Sequence, residues 1–211
     1  EKEEKAQVKK IKEDITKTIM IGDSNFRCVN ENGVMASVTA VTGGKIGHIC
    51  NQVKFENVEK MENIILSAGQ NCINDVEELD QKFWEARTLA EMSTAEKVIN
   101  GLLKEGKNVF MVSVPPAPCT QTSTRTKGAR NFINKHLAEL IQRANTIDAK
   151  KGIAGFVNDL DTNYSDTSDF KDERHLSQQA MERRIGLLDD ILPTESKLKN
   201  SILKGRPTGE P

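Results

Sequence analysis

The chain has 211 residues and a mass of 23.4 kDa, enough for one sizeable hydrophobic core. Lys and Arg number 30 against 31 Asp and Glu, a net charge of -1, which argues against a polybasic membrane anchor or a general nucleic-acid coat. With 36% hydrophobic and 29% charged residues and a mean hydropathy of -0.52, the composition reads as a soluble globular domain with charged flanks, and no stretch reaches the ~20 apolar residues of a membrane span.

Residues 1–16 stand apart. The run EKEEKAQVKKIKED is almost all charge, with Val8, Ile11 and Ile15 at three- and four-residue spacing. That spacing predicts a solvated leader helix, or the end of an upstream coiled coil through which the protein self-associates. The first residue is Glu1 and not Met, as expected of a domain excised from a longer protein. From Lys17 the texture changes. TKTIMIG predicts a first buried strand, VMASVTA (34–40) a second, ENIILSAG (62–69) a third, NVFMVSV (108–114) a fourth and GIAGFVND (152–159) a fifth. Between them Ile46, Ile49, Cys50 and Val53 suggest a short helix. Val76, Leu79, Phe83, Leu89 and Met92 suggest a longer one, interrupted near Ser93-Thr94. Phe132, Ile133, Leu137, Leu140 and Ile141 form an amphipathic stripe, and a last helix is expected from about Ser177 to Leu188. Strands alternating with helices imply a parallel sheet covered on both faces, here a three-layer, flavodoxin-like α/β domain over residues 17–191. The stretch 192–211, with Pro193, Pro207 and Pro211, is expected to be a tail or linker.

In such sheets ligands bind outside the carboxyl ends of the strands. Strand one ends in Ile21-Gly22-Asp23-Ser24-Asn25, where a serine opening the next helix is either an exposed nucleophile above a helix N-terminus or a plain N-cap. Strand two ends in Val41-Thr42-Gly43-Gly44-Lys45-Ile46-Gly47. Glycines there let backbone N–H groups face a ligand, but the phosphate-loop pattern is not met. Strand three ends in Ser67-Ala68-Gly69-Gln70-Asn71-Cys72, where Asn71 is either a turn former or an amide donor to an oxyanion.

Three histidines narrow the choice of a general base. His136 falls in an apolar helical stripe and reads as a packed helix residue, and His48 lies early in the short helix. His175 follows a polar loop, and in Asp172-Glu173-Arg174-His175 the carboxylate reaches the imidazole Nδ1–H and leaves Nε2 to act as a base. Cys28, Cys50, Cys72 and Cys119 are far apart and form no C-x-x-C pair, which predicts reduced thiols, an intracellular, cytoplasmic setting and no zinc site.

Gly22-Asp23-Ser24, Gly43, Gly69-Gln70-Asn71 and Asp172-Glu173-Arg174-His175, in that order, resemble the four blocks of the SGNH hydrolases, also called GDSL-type esterases. The resemblance spans residues 17–190. Gly43 is preferred to Gly44 because Ile49, six residues on, matches the family's apolar position. The stretches IMIGDSNFR, TGGKIGHI and ILSAGQN look most like the esterase domain in the first-reading-frame protein of LINE-type non-LTR retrotransposons. Two features depart from the family pattern: Cys72 stands where many members carry Asp, and the glycine block is doubled.

The resemblance implies a five-stranded SGNH fold and a cofactor- and metal-free serine esterase acting on short acyl, acetyl-type or lipid esters. Ser24 would be the nucleophile, His175 the base and Asp172 its orienting carboxylate. The oxyanion would be held by the N–H groups of Ser24 and Gly43 and the side chain of Asn71. Another class of function stays open, a lipid- or membrane-surface binding or self-assembly module on a hydrolase fold. Its motivation is the segment 127–151, where Lys127, Arg130, Lys135, Arg143, Lys150 and Lys151 outnumber Glu139 and Asp148 and could meet anionic headgroups. Nucleic-acid binding is not expected of this fragment.

Overall fold

A computed structural model of the chain describes residues 3, 5–7, 10, 16–29, 33–158, 164, 168–192 and 198. Five strands, β1 (Thr18–Gly22), β2 (Ser37–Ala40), β3 (Asn63–Ser67), β4 (Asn108–Val112) and β5 (Ala154–Val157), form one parallel sheet in the order β2-β1-β3-β4-β5. This is the doubly wound order of the flavodoxin-like folds. The β-branched and apolar runs explain why the three inner strands sit in the middle. Every residue of β1 and β3 is buried, whereas the edge strands β2 and β5 are only half-buried.

Side chains alternate strictly between the two faces, as the two-residue strand period requires. Ile19 and Ile21, Ile64 and Leu66, and Val109 and Met111 all enter one core. Met20, Ile65, Phe110 and Val112 enter the other. The register stacks Met20 on Ile65 and Ile65 on Phe110, so each face is one continuous apolar strip. Three helices, α1 (Ile46–Gln52), α2 (Gln81–Lys104) and α3 (Thr124–Ala144), cover the first face, and α4 (Gln178–Ile191) with Phe26, Val29, Val34 and Ala36 from between β1 and β2 covers the second.

The five expected strands all form, though β2 keeps only the last four residues of its predicted run. The second helix differs more. It starts at Gln81, where the Asp80 carboxylate accepts from the Lys82 and Phe83 N–H groups, so Val76 and Leu79 precede it. Its buried stripe is Trp84, Thr88, Met92, Ala95, Ile99, Leu102 and Leu103, while Phe83 and Leu89 point outward. It is not interrupted at Ser93-Thr94. The Thr94 hydroxyl donates back to the Ala90 carbonyl, which lets a helix carry such a residue mid-run. Helices α3 and α4 begin at the caps Ser123 and Ser177. Among the described residues no helix is long and apolar enough to cross a membrane.

Glu3, Lys5, Ala6, Gln7 and Lys10 are helical and exposed, but the leader-helix and self-association reading of residues 1–16 otherwise lies outside the described residues. So does most of the linker reading of 192–211. One residue of that stretch, Leu198, is fully buried, and its carbonyl accepts from the Met35 N–H at 2.9 Å.

Candidate active site

The carboxyl end of β1 leads straight into a tight turn. A Cβ on Gly22 would lie 2.7 Å from the Phe26 ring, so only glycine lets the following turn fold down onto the strand. That turn is a 3-10 helix over Ser24–Cys28, not an α-helix, and its cap is Asp23, whose Oδ1 accepts from the Asn25 N–H at 3.0 Å. Ser24 is therefore neither the N-cap nor the first residue of a long helix. It is half-buried at the top of the sheet.

The Ser24 Oγ lies 2.8 Å from His175 Nε2. On the other side of the ring, Nδ1 lies 2.7 Å from Asp172 Oδ2 and 2.9 Å from Oδ1. Residues 151 positions apart in sequence thus meet in one hydrogen-bonded row of serine, imidazole and carboxylate. The histidine sits in a tight loop closed by the Phe170–Leu176 bridge and by the Lys171 N–H on the His175 carbonyl at 2.9 Å. Asp172 caps that loop internally, its Oδ1 accepting from the Arg174 and His175 N–H groups, each at 2.8 Å. Partial desolvation pushes the Asp172 carboxyl up, but the Arg174 N–H, the His175 ring and the His175 N–H outweigh it and bring it down to about 2. The carboxylate is therefore charged at every pH at which a base is needed.

Sheet order explains how the other two predicted residues come near. Strands β2 and β3 flank β1, so the loop bearing Gly43 and the loop bearing Asn71 rise on either side of Ser24. Asn71 joins them, its Nδ2 donating to the Gly44 carbonyl at 3.1 Å while its Oδ1 accepts from Asn74 at 3.4 Å. That fixes the amide with its NH2 toward the glycine turn, and a carboxamide NH2 has a second N–H to give. The two glycines of the doubled block differ in their hydrogen bonds. Gly44 is buried and its N–H donates to the Val41 carbonyl at 3.2 Å. Gly43 is exposed at φ +68°, and among the described residues its N–H has no protein acceptor.

Burial keeps three of the four thiols protonated. Burial first, and then nearby acidic groups, push the thiols of Cys72 and Cys50 up to about 12. The Cys119 thiol is also raised, by burial. Beneath Ser24, Asp23 is only 3% exposed. Burial raises its carboxyl, opposed by hydrogen bonds from Asn25 and by the positive field of the buried Arg184. Among the described residues no group of three His, Cys, Asp or Glu side chains is arranged to hold a metal ion. The remaining histidines lie elsewhere. His136 stacks on Phe132 at 4.1 Å with Nδ1 on the Phe132 carbonyl, and His48 is exposed on α1.

Several supporting residues escape a reading by motif. Trp84 Nε1 donates to the Cys72 carbonyl at 2.7 Å and ties the Asn71 loop to α2. Asn134 clasps both backbone groups of Val114, in the loop after β4. Asn25 and Gln70 are buried side by side, 2.6 Å apart through Nδ2 and Oε1, next to the residues the motifs pick out. Their only signal in the sequence is that adjacency. In the basic segment, Arg130 is buried, whereas Arg143 is exposed and paired with Glu96 at 3.0 Å.

No protein-family model matches the sequence, and no curated protein matches it significantly. Solved structures do match its fold. A Bacteroides fragilis protein provisionally assigned as an acylhydrolase superposes with a TM-score of 0.61 at 13% identity, covering 83% of this chain and 85% of its own. An acetyl xylan esterase superposes with a TM-score of 0.57 at 14% identity over 83% of this chain and 99% of its own. A lipase/acylhydrolase from Enterococcus faecalis gives 0.55 at 18% identity over 86% and 96%. At these identities the likeness is one of fold, the five-stranded parallel α/β architecture.

Proposed function

We propose that this chain is a serine-dependent carboxylic ester hydrolase of the SGNH type, working through an acyl-enzyme. The observation that carries the reading is the unbroken row from Ser24 Oγ through His175 to Asp172, with 2.8 Å and 2.7 Å contacts on the two ring nitrogens. The fold shared with structures described as acylhydrolases and esterases supports it. His175 Nε2 takes the Ser24 proton as Oγ bonds to the ester carbonyl carbon. Asp172, ionised throughout, holds the imidazole tautomer and stabilises the imidazolium. The oxyanion that forms is met by the Ser24 and Gly43 N–H groups and by the second Asn71 Nδ2–H. As the carbon–oxygen bond to the alcohol breaks, His175 returns the proton to the leaving oxygen. A water, deprotonated by the same nitrogen, then attacks the acyl-enzyme, releases the acid and restores the Ser24 hydroxyl.

The substrate is a short acyl ester of acetyl type or a lipid ester, and the setting is a retrotransposon-encoded protein. Both follow from the sequence resemblance around Ser24, Gly43 and Asn71. The test is a series of p-nitrophenyl esters of increasing acyl length, run on wild type and on Ser24→Ala, with a fluorophosphonate to label the nucleophile. We expect hydrolysis by wild type, none above background by a folded Ser24→Ala, and one label per chain, on Ser24. Activity near wild type in that variant, or a label on another serine, refutes the assignment.

A further inference from the structure

We infer that Asn25 and Gln70 form a positioning clamp that sets the height of His175 over Ser24; the catalytic half of this inference rests on the hydrolase reading above. The two side chains are 2% and 6% exposed. Asn25 Oδ1 accepts from the Leu176 N–H at 2.9 Å, and Gln70 Nε2 donates to the Arg174 carbonyl at 2.6 Å. Those are the backbone groups immediately after and immediately before His175. Asn25 Nδ2 donates to Gln70 Oε1 at 2.6 Å, so the two amides are bonded to each other as well as to the loop. Asn25 directly follows Ser24 and Gln70 directly precedes Asn71. One closed circuit therefore connects the nucleophile, the base and the oxyanion donor.

The circuit is needed because the three loops share no ladder. They leave the sheet at the ends of β1, β3 and β5. The Asp23 N–H still donates to the Ser67 carbonyl at 3.1 Å, but beyond that point no backbone–backbone hydrogen bond among the described residues joins the three loops. A carboxamide has an acceptor and two donors on one rigid plane, so it can answer a carbonyl and an N–H from different loops at once. Burial strengthens such bonds and penalises any that are lost, which narrows the positions the loop can take. The other polar groups at this junction fit the same picture. Gln70 Nε2 also approaches Cys119 Sγ at 3.8 Å, the Cys119 N–H donates to the Glu173 carbonyl at 2.9 Å, and Cys28 Sγ lies 3.2 Å from the Leu176 carbonyl. Asn25 and Gln70 touch no substrate in this scheme. They act through His175.

The experiment has two independent readouts. The chain contains three histidines, so a ring-15N-histidine NMR spectrum carries the signals of His48, His136 and His175, the first two serving as internal controls. Variants Gln70→Met, which keeps the volume and removes the amide, and Asn25→Ala are compared with wild type and with the double variant. Rates are expressed per fluorophosphonate-labelled site, so that unfolded protein is not counted. We expect kcat to fall roughly 10- to 100-fold with KM within about threefold, the scale of a small misplacement of a reacting group. The His175 ring signals shift while those of His48 and His136 stay put, and the double variant is no worse than the poorer single, because the amides act as one unit. An unchanged kcat per labelled site overturns the inference. So does a loss of kcat with no movement of the His175 signals, which is a general loosening, and so does a double variant whose loss is the product of the singles. The NMR arm stands apart from the esterase assignment. If wild type hydrolyses no ester but the His175 signals move, the hydrolase reading fails and the clamp geometry holds; an active wild type with unmoved signals is the reverse.

Discussion

Asn71 offers the sharpest test of how charge is handled at this site. Its Nδ2 donates to the Gly44 carbonyl at 3.1 Å, and its remaining N–H is the candidate oxyanion donor. Replacement by alanine removes both. Losing the ground-state bond to Gly44 costs about 0.5–1.5 kcal/mol of stability. For a domain of this size that lowers Tm by about 2–4 °C per kcal/mol. Losing the oxyanion donor costs about 2.7–4 kcal/mol of transition-state stabilisation, a fall in kcat of roughly 10²–10³ with little change in KM. Asn71→Asp should be worse. An ionised carboxylate cannot donate to Gly44, sets its charge against that carbonyl and opposes the developing oxyanion. The assay is steady-state hydrolysis of a short p-nitrophenyl ester with a thermal melt of each variant. If Asn71 only shapes the turn, Asp serves as well as Asn, and Ala lowers Tm without touching kcat per labelled site. An active, normally stable Asn71→Asp protein would remove Asn71 from the site.

Other expectations follow from the same geometry. The single variants Ser24→Ala and His175→Ala should lose activity to similar extents, and the double variant should be little worse; losses that multiply would mean the two residues do not share a step. Since Asp172 stays ionised down to about pH 2, the acid limb of kcat/KM between pH 4 and the optimum should show a one-proton slope, and a two-proton slope there would contradict the depressed carboxyl. The same depression places the stabilising contribution of Asp172 above its unfolded pKa of about 3.9, with loss as pH falls toward 2, small in size because the side chain is 48% exposed. Gly43→Ala meets no neighbour within 4 Å and should cost roughly 1–2 kcal/mol for its φ of +68° while keeping most of kcat. A Cβ on Gly44 lies 2.9 Å from Ile49 Cγ1, so Gly44→Ala should lower Tm further; the reverse order in thermal melts would undo the distinction between the two glycines.

The sequence could be read this far because its signals are local. Apolar runs such as IMIG and NIILS mark buried strands, and Ser24, Gly43, Asn71 and His175 each fall at a strand or helix boundary where a motif is short enough to recognise. What periodicity missed are cases where burial depends on a partner. Phe83 and Leu89 fit a helical stripe, yet the face of α2 that meets α1 and α3 runs through Trp84, Thr88 and Met92. A local pattern cannot say which of two interleaved stripes will find a neighbour. Ser93-Thr94 looks like a break, but a threonine that bonds its own helix's carbonyl does not end the helix. Gln70 and Asn25 carry no periodic or motif signal, because their partners are backbone groups about 100 and 150 residues away.

Chain order and spatial order differ at this site, and the difference explains its position. Along the sequence the chemical groups come from loops after β1, β2, β3 and β5, but in the sheet β1 lies between β2 and β3. The connection after β1 passes over one face, through Phe26 and Val34, and the connections after β2 and β3 pass over the other, through α1 and α2. Where successive connections leave on opposite faces a crevice opens at the carboxyl end, and Ser24 stands in it with Gly43 on one side and Asn71 on the other. The histidine does not belong to that crevice by topology, since its loop starts at the far edge strand β5. It has to be brought across β4 and β3 to reach Nε2–Oγ distance. The groups that hold its neighbours Glu173, Arg174 and Leu176 there are Cys119 N–H after β4, Gln70 after β3 and Asn25 after β1, one from each of the strands between the edge and the nucleophile loop. If His175 is the base, it is delivered from the edge of the sheet to its centre, and the clamp inferred above supplies the hold such a delivery needs, with buried amides at positions where the proposed reaction itself asks for none.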